Sequence, residues 1–219
     1  MRVAERYWQT QNGIINTIIK MNDFLENSCN FDPLLKTTTI FDTFDCGDDE
    51  LNDFFRNDAL LYQKALLGKT YYFSLKDDPS VIVCAFTIAN DSIKTFNIPG
   101  SRKNKINRTI PNVKRRKNYP AVLIGRLGVS KDFKNKSIGS EAIEFIKTWF
   151  VEPDNKTGCR FVLVDAYNDE IPLRFYSKNG FSEMFPSEDE EKSFREMATE
   201  EKLNTRLLYF DLIELSKEK

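Results

Sequence analysis

Two apolar runs, PAVLIGRLGVS at 120–130 and FVLVDAYN at 161–168, stand on either side of one helical segment built around SIGSEAIEFI. A strand, a crossover helix and a second strand make a parallel pair, and strands buried on both faces read as near-continuous apolar runs. The chain must therefore build a sheet with helices on its faces. Around this unit the remaining elements follow from local pattern. Ile14, Ile15, Ile18, Ile19 and Leu25 recur at helical spacing over 12–27, before a break at Pro33. LLKTTTIFDTF at 34–44 is rich in β-branched and aromatic residues and predicts a strand. DCGDDELNDFFRNDALLYQKALLG predicts a turn and then a helix capped by Gly68. TYYFSL and SVIVCAFTIAN flank Lys76-Asp77-Asp78-Pro79 as an antiparallel hairpin. A short helix IPLRFYSK stops at Asn179-Gly180, and TRLLYFDLIEL closes the chain as a strand, with no internal repeat anywhere. The expected fold class is α/β, or α+β with a mixed sheet.

The 219 residues, 41% hydrophobic and 13% aromatic, are enough for one packed domain plus an appendage. Cys29, Cys46, Cys84 and Cys159 form no CxxC pair and the chain has no histidine, which puts the usual zinc sets out of reach. The missing histidine also removes Ser-His-Asp and Cys-His catalysis, leaving carboxylates, lysines, tyrosines, backbone groups or direct attack by a substrate. Met1 to Lys20 contains no apolar core followed by a small-residue cleavage site, and no run approaches the length of a membrane span. The expected location is cytoplasmic, with reduced thiols and no membrane partner.

The net charge of −1 hides an uneven distribution. Arg102, Lys103, Lys105, Arg108, Lys114, Arg115, Arg116 and Lys117 crowd into 101–118 without a single Asp or Glu. From Glu183 to Glu201, by contrast, eight acidic residues meet only Lys192 and Arg195. A basic insert of this kind suits an RNA backbone, although its only aromatic is Tyr119; the alternative is a solvated loop.

Gly125 and Gly128 interrupt the first apolar run, and glycine inside a strand marks a bulge or a close approach. Lys134, Asn135, Lys136 and Ser137 then crowd the helix start, where the macrodipole disfavours cations. A phosphate bound between the lysines and the unpaired first-turn N–H groups would make those cations sensible. An ordinary turn with solvated lysines is the other reading.

RLGV, the turn KNKSIG, a second strand ending at Asn168 and then FYSKNGF together resemble the Gcn5-related N-acetyltransferase (GNAT) superfamily. The resemblance spans roughly 35–215, and implies an N-terminal helical extension over 1–33 before an acetyltransferase domain over 34–219, with helices on both faces of a central mixed sheet. The superfamily's acetyl-CoA signature, Gln/Arg-x-x-Gly-x-Gly/Ala, falls on Lys134, Ser137 and Gly139; Lys is a mild change, whereas Ser places a Cβ where glycine lets backbone approach pyrophosphate. FDCGDDELNDFF, the basic insert before YPAVLIGRLGV, and FYSKNGF before RLLYFDL are most similar to the toxin-antitoxin acetyltransferases that modify the amino group of aminoacyl-tRNA.

What the resemblance implies can be placed residue by residue. The backbone of Leu127 and Val129 binds the acetyl and pantetheine part, with Gly128 easing approach. The N–H groups of Lys134, Asn135, Lys136, Ser137, Ile138 and Gly139, helped by Ser140, hold the pyrophosphate. Asn168 bonds the pantetheine arm, and Tyr176 is the acid that protonates the departing thiolate, its ordinary pKa of about 10 keeping it protonated. A general base is open between Asp165 and Asp45; Arg126 points to substrate or forms an ion pair; Cys159 as an acyl carrier is weaker, since it lies at the far end of its strand. The implied partners are acetyl-CoA, an amine acceptor, tRNA, an antitoxin protein and a second copy of the chain. A small amine, a peptide or a protein lysine is the alternative acceptor, and a non-catalytic CoA-binding module the third class.

Overall fold

The structure, a computed structural model, describes residues 24–96, 98–108, 110, 111, 115, 117–155 and 157–216. Most of the helix expected over 12–27 lies outside the described residues, as do Lys114 and Arg116. Among the described residues seven strands, β1 (Cys29–Pro33), β2 (Lys69–Leu75), β3 (Ile82–Lys94), β4 (Asn118–Val129), β5 (Phe161–Tyr167), β6 (Ser182–Glu183) and β7 (Thr205–Asp211), are hydrogen-bonded in the order β1-β2-β3-β4-β5-β7-β6. The sheet is mixed, with β4 and β5 parallel and β5 and β7 antiparallel. The chain divides into two compact units, Met1–Ala89 with Gly125–Phe145, and Asn90–Ile124 with Ile146–Lys219.

In the first unit, α1 (Phe24–Ser28) leads into β1, which pairs antiparallel with β2 and sets Phe31 opposite Phe73. The last ten residues of the 1–33 segment are thus helix and sheet strand. Leu25 is buried and its N–H donates to Glu141 Oε2 at 2.9 Å. β2 and β3 form the expected hairpin, and Asp78 holds its turn by accepting from Ser80 N at 3.1 Å and Ser80 Oγ at 2.6 Å. Phe31 lies within 4.6–6.1 Å, ring centre to ring centre, of Tyr71, Phe73, Phe86 and Phe145. Aromatic pairs at these distances add to the area they remove from water.

The strand expected over 34–44 is absent. Thr39–Phe41 is a single 3-10 turn, and Phe41 and Phe44, three residues apart, both enter a buried cluster with Leu34, Phe54, Phe55 and Ala59. Period-three burial on one side defeats a period-two strand despite the β-branched composition. The following helix consists of α2 (Asp49–Asp53), a π-helical turn (Phe54–Asp58) and α3 (Ala59–Lys64). Asp48 caps it, accepting from Leu51 N at 3.0 Å. It ends at Leu66, with φ of 60°, and not through Gly68, which is not among the positive-φ glycines.

In the second unit, β4 and β5 run parallel from Ala121 opposite Phe161 to Ile124 opposite Val164. Ile106, Tyr119, Phe161, Leu163, Met184, Phe185 and Tyr209 form its core. Part of the basic segment is helix α4 (Gly100–Asn107), anchored by buried Ile106. The crossover helix, α5 (Ile138–Val151), begins in the first unit and ends in this one. After β5, α6 (Glu170–Lys178) stops as expected at Asn179 and Gly180, the latter with φ of 79°. The acidic stretch contributes α7 (Glu188–Phe194), with Ser187 Oγ accepting from Glu190 N at 3.3 Å. The closing strand is shorter than expected, since Asp211 Oδ1 accepts from Ile213 N at 3.3 Å and the chain turns into α8 (Ile213–Ser216).

Candidate active site

In the first unit, β4 delivers Leu127, Gly128 and Val129 to the start of α5. A Cβ on Gly128 would lie 3.2 Å from Phe55 Cε2 and 3.3 Å from Cys46 Cβ and Sγ, so it would press on the chain's own side chains. Beyond the strand, Ser130 N donates to Val83 O at 2.9 Å and Lys131 N to Asp45 O at 2.9 Å. The Lys131 ammonium lies 2.7 Å from Asp45 Oδ2. Asp45 Oδ1 also accepts from Asn52 Nδ2 at 2.9 Å and Gly47 N at 2.7 Å. These donors, Lys131 foremost, hold the Asp45 carboxyl well below the usual range. A carboxylate so strongly committed is a poor proton acceptor, and Asp45 acts as the brace of this loop.

The loop itself adopts a glycine-like course without glycine. Asn135 has φ of 61° and Ser137 φ of 62°, both in the left-handed region that ordinary side chains avoid. Lys134 to Ser137 are exposed, and Ser137 O accepts the first helical bond from Glu141 N at 3.0 Å. The amides of Ile138, Gly139 and Ser140 belong to the first turn, where no preceding carbonyl of the helix can receive them. Lys136 Nζ reaches back to Asp132 O at 3.0 Å and lies 5.1 Å from the Phe133 ring centre. First-turn amides, exposed lysines and a sharply bent approach are what an anionic phosphate needs, and these residues fit the pyrophosphate of acetyl-CoA. Arg126 settles between its two options as an internal contact: its Nη1 donates to Gly125 O at 2.8 Å, its guanidinium lies 5.0 Å from the Phe54 ring centre, and Nη2 is 3.7 Å from Glu50.

In the second unit, α6 carries Tyr176, whose ring centre lies 5.0 Å from that of Phe175 and 5.5 Å from that of Phe181. Burial pushes its phenol up to about 12, so the group holds its proton through neutral pH. Asn168 N donates to Asn204 O at 2.8 Å, and its Nδ2 to Leu203 O at 2.9 Å and Glu188 Oε1 at 3.0 Å. The donor side of that amide therefore already ties the strand end to the loop before β7. Asp165 is paired with Arg195 at 2.7 Å. Burial pushes the Cys159 thiol up to about 11, which keeps it protonated and unreactive.

Of the basic insert, Arg102, Lys103 and Lys105 lie on α4, Arg108 follows it, and Arg115 Nη2 donates to Asn107 O at 3.5 Å. Tyr119 is only 5% exposed and its hydroxyl pairs with Asn107 Oδ1 at 2.9 Å, so it belongs to the core and offers no face to a base. Sequence reasoning missed Lys131 and buried Lys147; the first could have been suspected from its nearness to the motif, the second from nothing local.

No protein-family model matches the chain. Solved structures do. AtaT complexed with acetyl-methionyl-tRNAfMet matches with a TM-score of 0.61 at 17% identity, over 87% of this chain and 98% of that one. A mutant of KacT matches with a TM-score of 0.61 at 16% identity, over 88% and 99%. AtaTR bound with acetyl-CoA matches with a TM-score of 0.59 at 16% identity, over 87% and 98%. The chain has the fold of these proteins, the fold that the motifs around RLGV and FYSKNGF implied.

Proposed function

We propose that the protein is an acetyl-CoA-dependent N-acetyltransferase whose acceptor is the amino group of a charged tRNA, acting as the toxin of a toxin-antitoxin pair. The observation that carries this reading is the start of α5, where left-handed Asn135 and Ser137 bring exposed lysines and first-turn amides together. Solved structures of the same fold include AtaT with acetyl-methionyl-tRNAfMet and AtaT with the C-terminus of the antitoxin AtaR and acetyl-CoA. The catalytic domain is taken as 34–219, extended upstream by α1 and β1, in the cytoplasm. No helix among the described residues is long and apolar enough to cross a membrane.

Acetyl-CoA would supply an activated acetyl thioester. The amides of Ile138 to Ser140, with Lys134 and Lys136, would neutralise its pyrophosphate, and the backbone of Leu127 and Val129 would orient the acetyl end. Direct attack by the amine needs positioning more than a strong enzymic base, which agrees with Asp45 and Asp165 both being engaged in ion pairs. Tyr176 holds the proton that the departing thiolate needs.

Incubating the protein with labelled acetyl-CoA and a mixture of charged tRNAs, free amines and proteins tests the reading. Label should enter charged tRNA. Changing Lys114, Arg115, Arg116 and Lys117 together to Glu should nearly eliminate tRNA binding while sparing acetyl-CoA binding. A folded four-Glu variant that still acetylates charged tRNA at the wild-type rate sinks the RNA role of the insert. Burial of Tyr119 favours a second reading, a small amine, peptide or protein lysine as acceptor, because the insert then lacks a stacking platform. Label in those acceptors alone would select it.

A further inference from the structure

FDCGDDELNDFF, which leads into α2, holds a glycine that none of the roles above uses. Gly47 lies in the first unit with φ of 75°, in a left-handed turn that Asp45 Oδ1 closes by accepting from Gly47 N at 2.7 Å. Side chains from the loop before α5 lie across that turn. A Cβ on Gly47 would stand 2.9 Å from Lys131 Cε and 3.1 Å from Lys134 Nζ, so two lysines fill the space that the missing side chain leaves. Lys131 is not free to step aside. Asp45 Oδ2 accepts from its ammonium at 2.7 Å, and Asp45 O accepts from its amide at 2.9 Å.

The two lysines next to the left-handed residues differ in their commitments. Lys136 Nζ donates to Asp132 O at 3.0 Å and lies 5.1 Å from the Phe133 ring centre. The exposed Lys134 ammonium makes no hydrogen bond or ion pair among the described residues. Burial raises the Cys46 thiol, and the charge of Lys134 is among the influences that oppose it, which places that charge at the same turn. Asp48, next to Gly47, is turned to Leu51 N as the helix cap. Asp45 neutralises Lys131, which lets a second lysine stand beside it and leaves the charge of Lys134 uncompensated. A side chain already lodged against a fixed turn has less rotamer freedom to lose when it meets an anion.

We infer that Lys134 supplies the main side-chain charge for the pyrophosphate of acetyl-CoA, and that Gly47 is its positioning residue, leaving the slot in which Lys131 and Lys134 lie side by side. The inference rests on the reading of acetyl-CoA as the cofactor. It separates two lysines that the sequence presents as equivalent, and gives the glycine of FDCGDDELNDFF a task at a loop far from it in sequence.

Calorimetry on the whole protein tests this with two ligands, acetyl-CoA and S-acetylpantetheine, which lacks the pyrophosphate. Lys134→Gln should weaken acetyl-CoA about 10-fold, the range of a hydrogen bond between charged groups, and flatten the salt dependence of its binding. Lys136→Gln should lose less, since that ammonium must first leave Asp132. Gly47→Ala should weaken acetyl-CoA as Lys134→Gln does, while S-acetylpantetheine binds these variants and the wild type alike. In the double variant, Gly47→Ala should add no further loss once Lys134 is gone, because the glycine acts through that lysine. Thermal melts establish folding, and Gly47→Asn supplies the same Cβ on a residue type that tolerates left-handed backbone, should Gly47→Ala not fold. If the glycine substitution loses as much affinity without Lys134 as with it, Gly47 only shapes the turn and its positioning role is overturned. Lys136→Gln losing as much as Lys134→Gln overturns the division between the lysines. A wild type that binds no acetyl-CoA overturns the cofactor reading and this inference together, whereas a wild type that binds it no more tightly than Lys134→Gln overturns this inference alone.

Discussion

Lys147 Nζ donates to the carbonyl of Asn179 at 2.6 Å, and the same ammonium lies 4.1 Å from the ring centre of Phe210 and 5.6 Å from that of Phe181. Lys147 is 3% exposed. A buried cation is tolerated here because it meets a carbonyl at the negative end of α6 and two aromatic faces. The helix it caps is the one that carries Tyr176.

Lys147→Met keeps the length of the side chain but leaves that carbonyl without its donor. Unfolding free energy should fall by about 1–3 kcal/mol, the cost of an orphaned buried acceptor. Urea melts should show a lower midpoint at an unchanged slope. Turnover should fall as α6 loosens, while acetyl-CoA affinity stays level.

Tyr176→Phe preserves the contacts with Phe175 and Phe181 and removes only the proton. Turnover should drop by roughly 10²- to 10⁴-fold with cofactor affinity nearly unchanged. The raised phenol, at about 12, also fixes the pH profile. The rate should climb as the acceptor amine loses its proton, with no fall near pH 10 where an ordinary phenol ionises. Between pH 10 and 12 the unfolded chain releases this proton first, so stability should decline with rising pH in that window. A rate that collapses at pH 10 would remove Tyr176 as the acid.

Elements whose two ends carry turn chemistry were legible in the sequence. The hairpin was announced by Asp78-Pro79, α6 by Asn179-Gly180, and the parallel pair by two largely apolar runs. Segments whose burial depends on distant partners were not. Thr37 to Thr39 look like strand, but a local bond from Phe41 N to Thr38 O and the packing of Phe41 and Phe44 on Phe55 hold a turn there instead. Helix α7 shows little apolar periodicity, since a residue it buries completely is Glu191. The start of α5 was legible as a cluster of lysines, but its left-handed backbone falls on Asn135 and Ser137, where no glycine signals it.

Ser137→Gly tests that loop. Left-handed backbone costs a non-glycine residue about 1–2 kcal/mol, and glycine loses about 0.5–1 kcal/mol more entropy on folding, so stability should hold or rise slightly. Acetyl-CoA should bind more tightly once the Cβ is gone. Ser137→Val should lower both stability and affinity, and Gly139→Glu should abolish cofactor binding by placing negative charge at the helix start. Calorimetry with acetyl-CoA reads all three, and a Ser137→Gly variant that binds no more tightly would show that the serine Cβ never crowds the phosphate.

Glu191 offers the last prediction, because the sequence presents it as one more surface acid. It is fully buried, and its oxygens accept from Arg206 Nε at 2.7 Å, Arg195 Nη2 at 2.7 Å and Leu207 N at 2.8 Å. Arg206, itself 6% exposed, also reaches Glu183 Oε2 at 2.9 Å and Phe185 O at 2.9 Å. Burying an ion pair gains little net stability, since desolvation offsets attraction, but removing one partner leaves the other charged in a poor solvent. Glu191→Ala should therefore cost about 3–5 kcal/mol, enough to unfold a marginal domain. The double variant Glu191→Leu, Arg206→Met should recover part of that loss, leaving Leu207 N and Arg195 as the residual penalty. A double-mutant cycle in urea reads the coupling directly. If Glu191→Ala costs under about 1 kcal/mol, the range of an exposed pair, the acidic stretch lies open to solvent and the network does not form.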